Sequence, residues 1–158
     1  MPPPPVLPAQ FQGVAPDARI AAFQVFSYSA AGAATVFAED LALAMQQLVN
    51  IMTPGTSNNP FVVNMSFGSN PSPTQCGDFS PTPINNPTIQ ALSTSIEMLF
   101  NMGVAVVAAT GNNSLSGAIT WPACVPKVIK VSSVVNNSSG NTRSPQANLA
   151  NPSAFPGE

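Results

Sequence analysis

The chain has 158 residues, the length of a single domain, and 44% of them are apolar while only 6% are charged. At that length about 70% of the unfolded surface can be buried, so a substantial core is possible. The four cations, Arg19, Lys127, Lys130 and Arg143, are too scattered to form the basic stripe that a phosphate backbone requires, and a net charge of -2 gives no attraction to anionic membranes or acidic substrates.

Residues 1–12 are Pro-rich and expected to be extended; Met1 followed by Pro2 to Pro5 has neither the basic region nor the apolar core of a signal peptide. Residues 19–26 (RIAAFQVF) read as a mostly buried strand. From 37 to 52 the spacing turns helical, with Leu41, Ala44, Met45, Leu48, Ile51 and Met52 on one face, and Thr53-Pro54-Gly55 as the stop. Residues 61–67 (FVVNMSF) form a second strand, followed by a Ser-, Pro- and Asn-rich loop over 68–85. Asn86 is placed as an N-cap with Pro87 at the first helical position. The apolar face of that helix is Ile89, Leu92, Ile96, Leu99 and Phe100, and Gly103 ends it in a left-handed conformation. Residues 104–109 (VAVVAA) and 128–135 (VIKVSSVV) supply two more strands around a polar loop at 110–118, and the stretch after 136 is polar and irregular. No apolar run reaches the roughly 18 residues of a membrane span.

Strands alternating with helices, the strands apolar throughout, specify an α/β fold with a parallel sheet flanked by helices. Functional groups in such sheets gather beyond the carboxyl ends of the strands, here Ser66-Phe67-Gly68 and Thr110-Gly111-Asn112. Taken alone these residues have plain readings: Gly111-Asn112 is an ordinary turn pair, Ser66 a polar strand end, Ala108 and Ala109 core. No G-x-G-x-x-G follows a strand and no P-loop is present, and 111–114 does not lead into a helix, so a nucleotide cradle is not expected. The two cysteines, Cys76 and Cys124, match no metal-site spacing, and the chain contains no histidine. A disulfide and a pair of free thiols both remain open on composition.

Four segments in order resemble the subtilisin-like serine proteases, the subtilases. They are Gly13-Val14-Ala15-Pro16-Asp17-Ala18 with residues 20–26; Val63-Asn64-Met65-Ser66-Phe67-Gly68; residues 103–112 (GVAVVAATGN); and Trp121-Pro122-Ala123 onward to Val134. The resemblance implies a three-layer α/β/α domain, truncated at both ends, over residues 13–135, between the extended segment 1–12 and a tail at 136–158. It implies that a peptide substrate lies extended beside Ser66, Phe67 and Gly68, that Ala108, Ala109, Thr110 and Gly111 line the first side-chain pocket, and that Asn112 is the oxyanion-hole donor. It further implies a Cys76–Cys124 disulfide at the rim of the cleft. No cofactor is required, although some members of the family that it resembles bind a weak Ca2+ or Na+ through backbone carbonyls near Ala123, Val125 and Val128.

The Asp, His and Ser of the family's triad have no counterpart here, since the matching segments for Asp and His precede Gly13 and that for Ser follows the last strand. Gly55-Thr56-Ser57 imitates the nucleophile motif, but it lies between a helix and a strand, in a linker, with no base to activate the serine. The expectation is therefore a fragment of a secreted serine endopeptidase, inactive by itself, whose partners are peptides or proteins, with an exposed sheet edge open to self-association. The alternative is a noncatalytic module that docks an extended peptide along the 64–68 strand.

Overall fold

A computed structural model of the chain describes residues 14–30, 32, 34–52, 61–68, 87–135 and 142–150. The elements are β1 (Phe26–Tyr28), β2 (Ala34–Val36), α1 (Ala38–Ile51), β3 (Val62–Met65), α2 (Pro87–Asn101), β4 (Ala105–Ala109), β5 (Ser116–Gly117), β6 (Ile129–Val131) and β7 (Leu149–Ala150). Strands β3, β4 and β6 form a parallel sheet in that order, with Asn64 beside Val107 and Val107 beside Ile129.

The helices form where apolar spacing and end chemistry agree. Glu39 and Asp40 occupy the first turn of α1, where carboxylates meet the positive end of the helix dipole. Its buried stripe is Leu41, Met45, Leu48 and Val49. Ile51, placed on that face by spacing, is 52% exposed; Val49 lies nearer the centre of the stripe and takes its place. In α2 the buried residues are Ile89, Leu92, Ser95, Ile96 and Leu99. Phe100 is half exposed instead, with the Lys127 ammonium 5.2 Å above its ring. Gly103 has φ +80° as the sequence demands, and Val104 N–H donates back to Leu99 O at 2.9 Å, turning the chain directly into β4.

Residues alternate across the sheet. Val63, Met65, Val106 and Ala108 point into one core shared with α1 and α2. On the opposite face Val62, Ile129 and Val131 are 61%, 53% and 50% exposed. Parallel sheets are ordinarily covered on both faces; among the described residues one helical layer of the expected three-layer arrangement is present.

Residues 19–26 do not form the buried strand their composition suggests. Positions 19–24 are exposed, Val25 alone reaches the core, and the strand begins at Phe26. It pairs antiparallel with β2, Phe26 opposite Val36, across a turn containing Gly32 at φ +77°. An apolar run announces a strand without naming its partner, and a hairpin closes a far shorter loop than pairing with the distant sheet. The last strand is also shorter than its apolar run: the ladder covers Ile129–Val131, and Val134 then bridges Arg143. Beyond it, residues 142–150 are ordered against the 110–117 loop, with β7 parallel to β5. The segment 1–12, the helix stop at 53–55, Ser57, Cys76 and the N-cap Asn86 lie outside the described residues.

Candidate functional site at the strand tips

Because β3 and β4 are adjacent and parallel, their carboxyl ends emerge on the same edge. Thr120, almost wholly buried, ties the two ends together. A Cβ added to Gly68 would fall on Thr120 Oγ1, and one added to Gly111 would fall on Asn148 Nδ2 and lie 2.6 Å from Thr120 Cγ2. Both glycines are thus required by close approach, and Gly111 also by its φ of +104°. Ser66 exchanges hydrogen bonds with the Asn64 side chain at 2.9 and 3.2 Å. Phe67 meets Phe26 edge to face, centroids 5.3 Å apart. Of the pocket-lining candidates, Ala108 and Thr110 are buried and Ala109 and Gly111 are half-buried.

Asn112 stands out from this packed surround. It is exposed, and its side chain has no hydrogen-bond partner among the described residues. The peptide groups around it are held. Thr110 O accepts from Thr120 N–H at 3.0 Å, from the Thr120 hydroxyl at 3.2 Å and from Asn148 Nδ2 at 3.1 Å. Ser114 N–H donates to Gln146 O, and Leu149 N–H to Leu115 O, both at 2.9 Å. Asn148, with no exposed surface at all, accepts from Asn113 N–H at 2.9 Å and from Leu115 N–H at 3.0 Å. Thr120 and Asn148 are the site residues that the sequence did not single out. Thr120 borders the Trp121-Pro122-Ala123 motif, which was a usable signal; Asn148 sits 36 positions beyond Asn112, in a stretch without periodicity.

The segment leading away from Thr120 forms one side of the site. The Trp121–Pro122 peptide is cis, and Trp121, Ala123, Cys124, Val125 and Val128 are buried. Lys127 has φ +67° and Lys130 Nζ donates to Val128 O at 3.0 Å. Two surface cavities, of about 390 and 530 Å³, lie elsewhere: one between the 23–27 segment and α1, the other between α1 and α2. No group of three or more metal-ligating side chains is found among the described residues, and none of the described helices is long and apolar enough to cross a membrane.

Comparison with known proteins agrees with this geometry. A subtilisin from Bacillus sp. (strain TA39) is 28% identical over 131 residues, covering 82% of this chain and 26% of its own length. A psychrophilic protease superposes with a TM-score of 0.57 at 24% identity, over 79% of this chain and 34% of that one. The prenylagaramide maturation protease PagA gives 0.55 at 20% identity, over 80% and 36%. At these identities the structural likeness speaks for the fold, and the chain spans only about a third or less of the length of these relatives. The sequence model of the subtilase family matches residues 5–155, and the chain belongs to that family.

Proposed function

We propose that this chain is the substrate-binding and oxyanion-hole portion of a serine endopeptidase, a hydrolase acting by acyl transfer at peptide bonds. The observation that carries the reading is the meeting of the Gly68 and Gly111 tips at Thr120, beside an Asn112 whose side chain is left without a partner among the described residues. A peptide laid along Ser66, Phe67 and Gly68 would form main-chain hydrogen bonds there, with Gly68 leaving room for the approach. The Asn112 amide would donate to the oxygen that becomes negative in the tetrahedral intermediate. Loss of one such donor lowers the rate about 10²–10³-fold, a magnitude that comes from an asparagine of a subtilisin and is taken over here by analogy.

The chain has no histidine, and the base that activates a serine nucleophile is read here as lying outside it. The chain alone is expected not to hydrolyse a chromogenic peptide; turnover abolished by a serine-directed covalent inhibitor would refute that. Missing histidine equally suits a noncatalytic peptide-binding protein. The adjoining coding sequence separates the two readings: frames supplying the Asp, His and Ser segments favour the protease.

Thr120 further suggests a preference for small side chains in the first pocket, because its methyl and hydroxyl fill the space between Gly68 and Gly111. The rim disulfide joining Cys124 to Cys76 is part of this proposal, supported by the burial of Cys124 beside the pocket segment and by the finding of no free thiol among the described residues. An oxidising, extracytoplasmic location for the parent enzyme follows from the disulfide. The outer side of β3, at the end of the β3-β4-β6 order and without a strand partner among the described residues, is proposed as the edge through which copies associate.

A cation on the carbonyls near Ala123, Val125 and Val128 would compete with hydrogen bonds already made there. Val128 O already accepts from the Lys130 ammonium and Val125 O from Val128 N–H. A metal ion on Val128 O would sit beside a fixed positive charge. We propose that Lys130 serves there instead and that no metal is needed.

A further inference from the structure

We propose that Asn148 is the positioning residue of Asn112, fixing the direction of its amide by gripping the main chain on both sides of it. The proposal rests on the reading of Asn112 as the oxyanion donor, and concerns how that donor is held. The peptide preceding Asn112 is fixed through Gly111 O, which accepts from Asn148 N–H at 3.1 Å. The peptide following it is fixed through Asn113 N–H, which donates to Asn148 Oδ1 at 2.9 Å. One residue therefore restrains both backbone torsions of Asn112 while leaving its side chain free to meet a ligand.

The chemistry of the grip is specific to asparagine. Oδ1 accepts twice, from Asn113 and Leu115, and Nδ2 donates to Thr110 O and, at 3.4 Å, to Asn113 Oδ1. Aspartate could accept but not donate, and its charge would face the Thr110 carbonyl. Serine is too short to span from Thr110 to Leu115. Leucine has a similar branched shape, is larger, and makes none of the bonds. Complete burial removes water as a substitute partner, so each lost bond leaves an unpaired polar group. Gly111 completes the device, since any side chain there would displace the Asn148 amide. An oxyanion donor acts through preorganisation, its direction set before charge develops. A loop of Gly111, Asn112, Asn113 and Ser114 has little stiffness of its own, and Asn148 supplies it.

The test uses the full 158-residue chain. Amide hydrogen exchange read by NMR is expected to show that N148L loses protection at Asn113 and Leu115 by about tenfold or more, with Val106 and Ala108 in β4 unchanged. N148D, which keeps an accepting oxygen but loses the donor to Thr110 O, is expected to lose less protection at Asn113 and Leu115 than N148L. If the larger apolar side chain prevents folding, N148S replaces N148L. Unchanged loop protection, or an equal loss throughout β4, would overturn the proposal. A second arm reads the amide's direction: a product-like peptide ending in a carboxylate is titrated against the same peptide ending in a carboxamide. The acid is expected to bind several-fold better, with the preference lost alike in N112A and N148L. A preference that survives in N148L but not in N112A would overturn the proposal. Equal binding of both peptides by the unaltered chain would refute the oxyanion reading of Asn112, while the exchange measurement still decides whether Asn148 holds the loop.

Discussion

Residues 110–115 and residues 66–68 face each other across Thr120, yet they are built differently. The first stretch is held from outside by Thr120, Gln146 and Asn148 through main-chain carbonyls and amides. The second leans on side chains, the Ser66–Asn64 pair and the Phe67–Phe26 edge. The difference matches the tasks proposed for each. A hydrogen-bond donor aimed at one developing charge has to be fixed in direction, whereas a strand that receives peptides of varied sequence has to keep its own backbone groups available.

The contrast can be broken most forcefully at Gly111. G111V places a branched side chain at φ +104° and against both Asn148 and Thr120. It is expected to destabilise by about 3 kcal/mol or more, read as a lower urea midpoint. At Gly68 the added atom clashes with the Thr120 side chain and meets Trp121 O at an ordinary 3.5 Å. G68A should cost about 1–2 kcal/mol, because Thr120 can rotate at the loss of its bond to Thr110 O. Combining G68A with T120A should give less than the sum of the single effects, and strict additivity would show that the two tips do not share Thr120. T120G is expected to admit larger residues at the position facing the pocket, raising affinity for a peptide with a bulky side chain there relative to one with alanine. A smaller effect tests the Lys127 contact: F100L should lose about 0.5–1 kcal/mol of stability with little change in peptide binding. Smallest of all, the chain's melting temperature should not respond to Na+ or Ca2+ at constant ionic strength. K130M should gain such a response, and a cation-sensitive parent chain would refute the assignment of Lys130.

What could be read in the sequence followed from local rules. Helical spacing located α1 and α2, Gly103 supplied a left-handed stop, and apolar runs marked the three strands of the parallel sheet. Gly68 and Gly111 stood at the strand ends where close approach later gave them a reason. What stayed hidden depended on partners far along the chain. Residues 19–26 carried a strand signal, but hairpin pairing displaced it to Phe26. Phe100 fitted the apolar face of α2, yet Lys127, brought near by the turn before β6, gave its ring an exposed role. Asn148, between Ala147 and Leu149, carries no motif, and its contacts with residues 110–115 appear only in the fold.

The side of the parallel sheet that the described residues leave uncovered has a practical consequence for anyone preparing this polypeptide. Val62, Ile129 and Val131 present their side chains to water, on a molecule with only 6% charged residues to keep copies apart. Concentrated samples should therefore bind apolar fluorescent dyes and precipitate as salt rises, since salting-out strengthens the tendency to bury such surface. Mild detergent, or lysine substituted at Ile129, is the handling remedy that this face calls for.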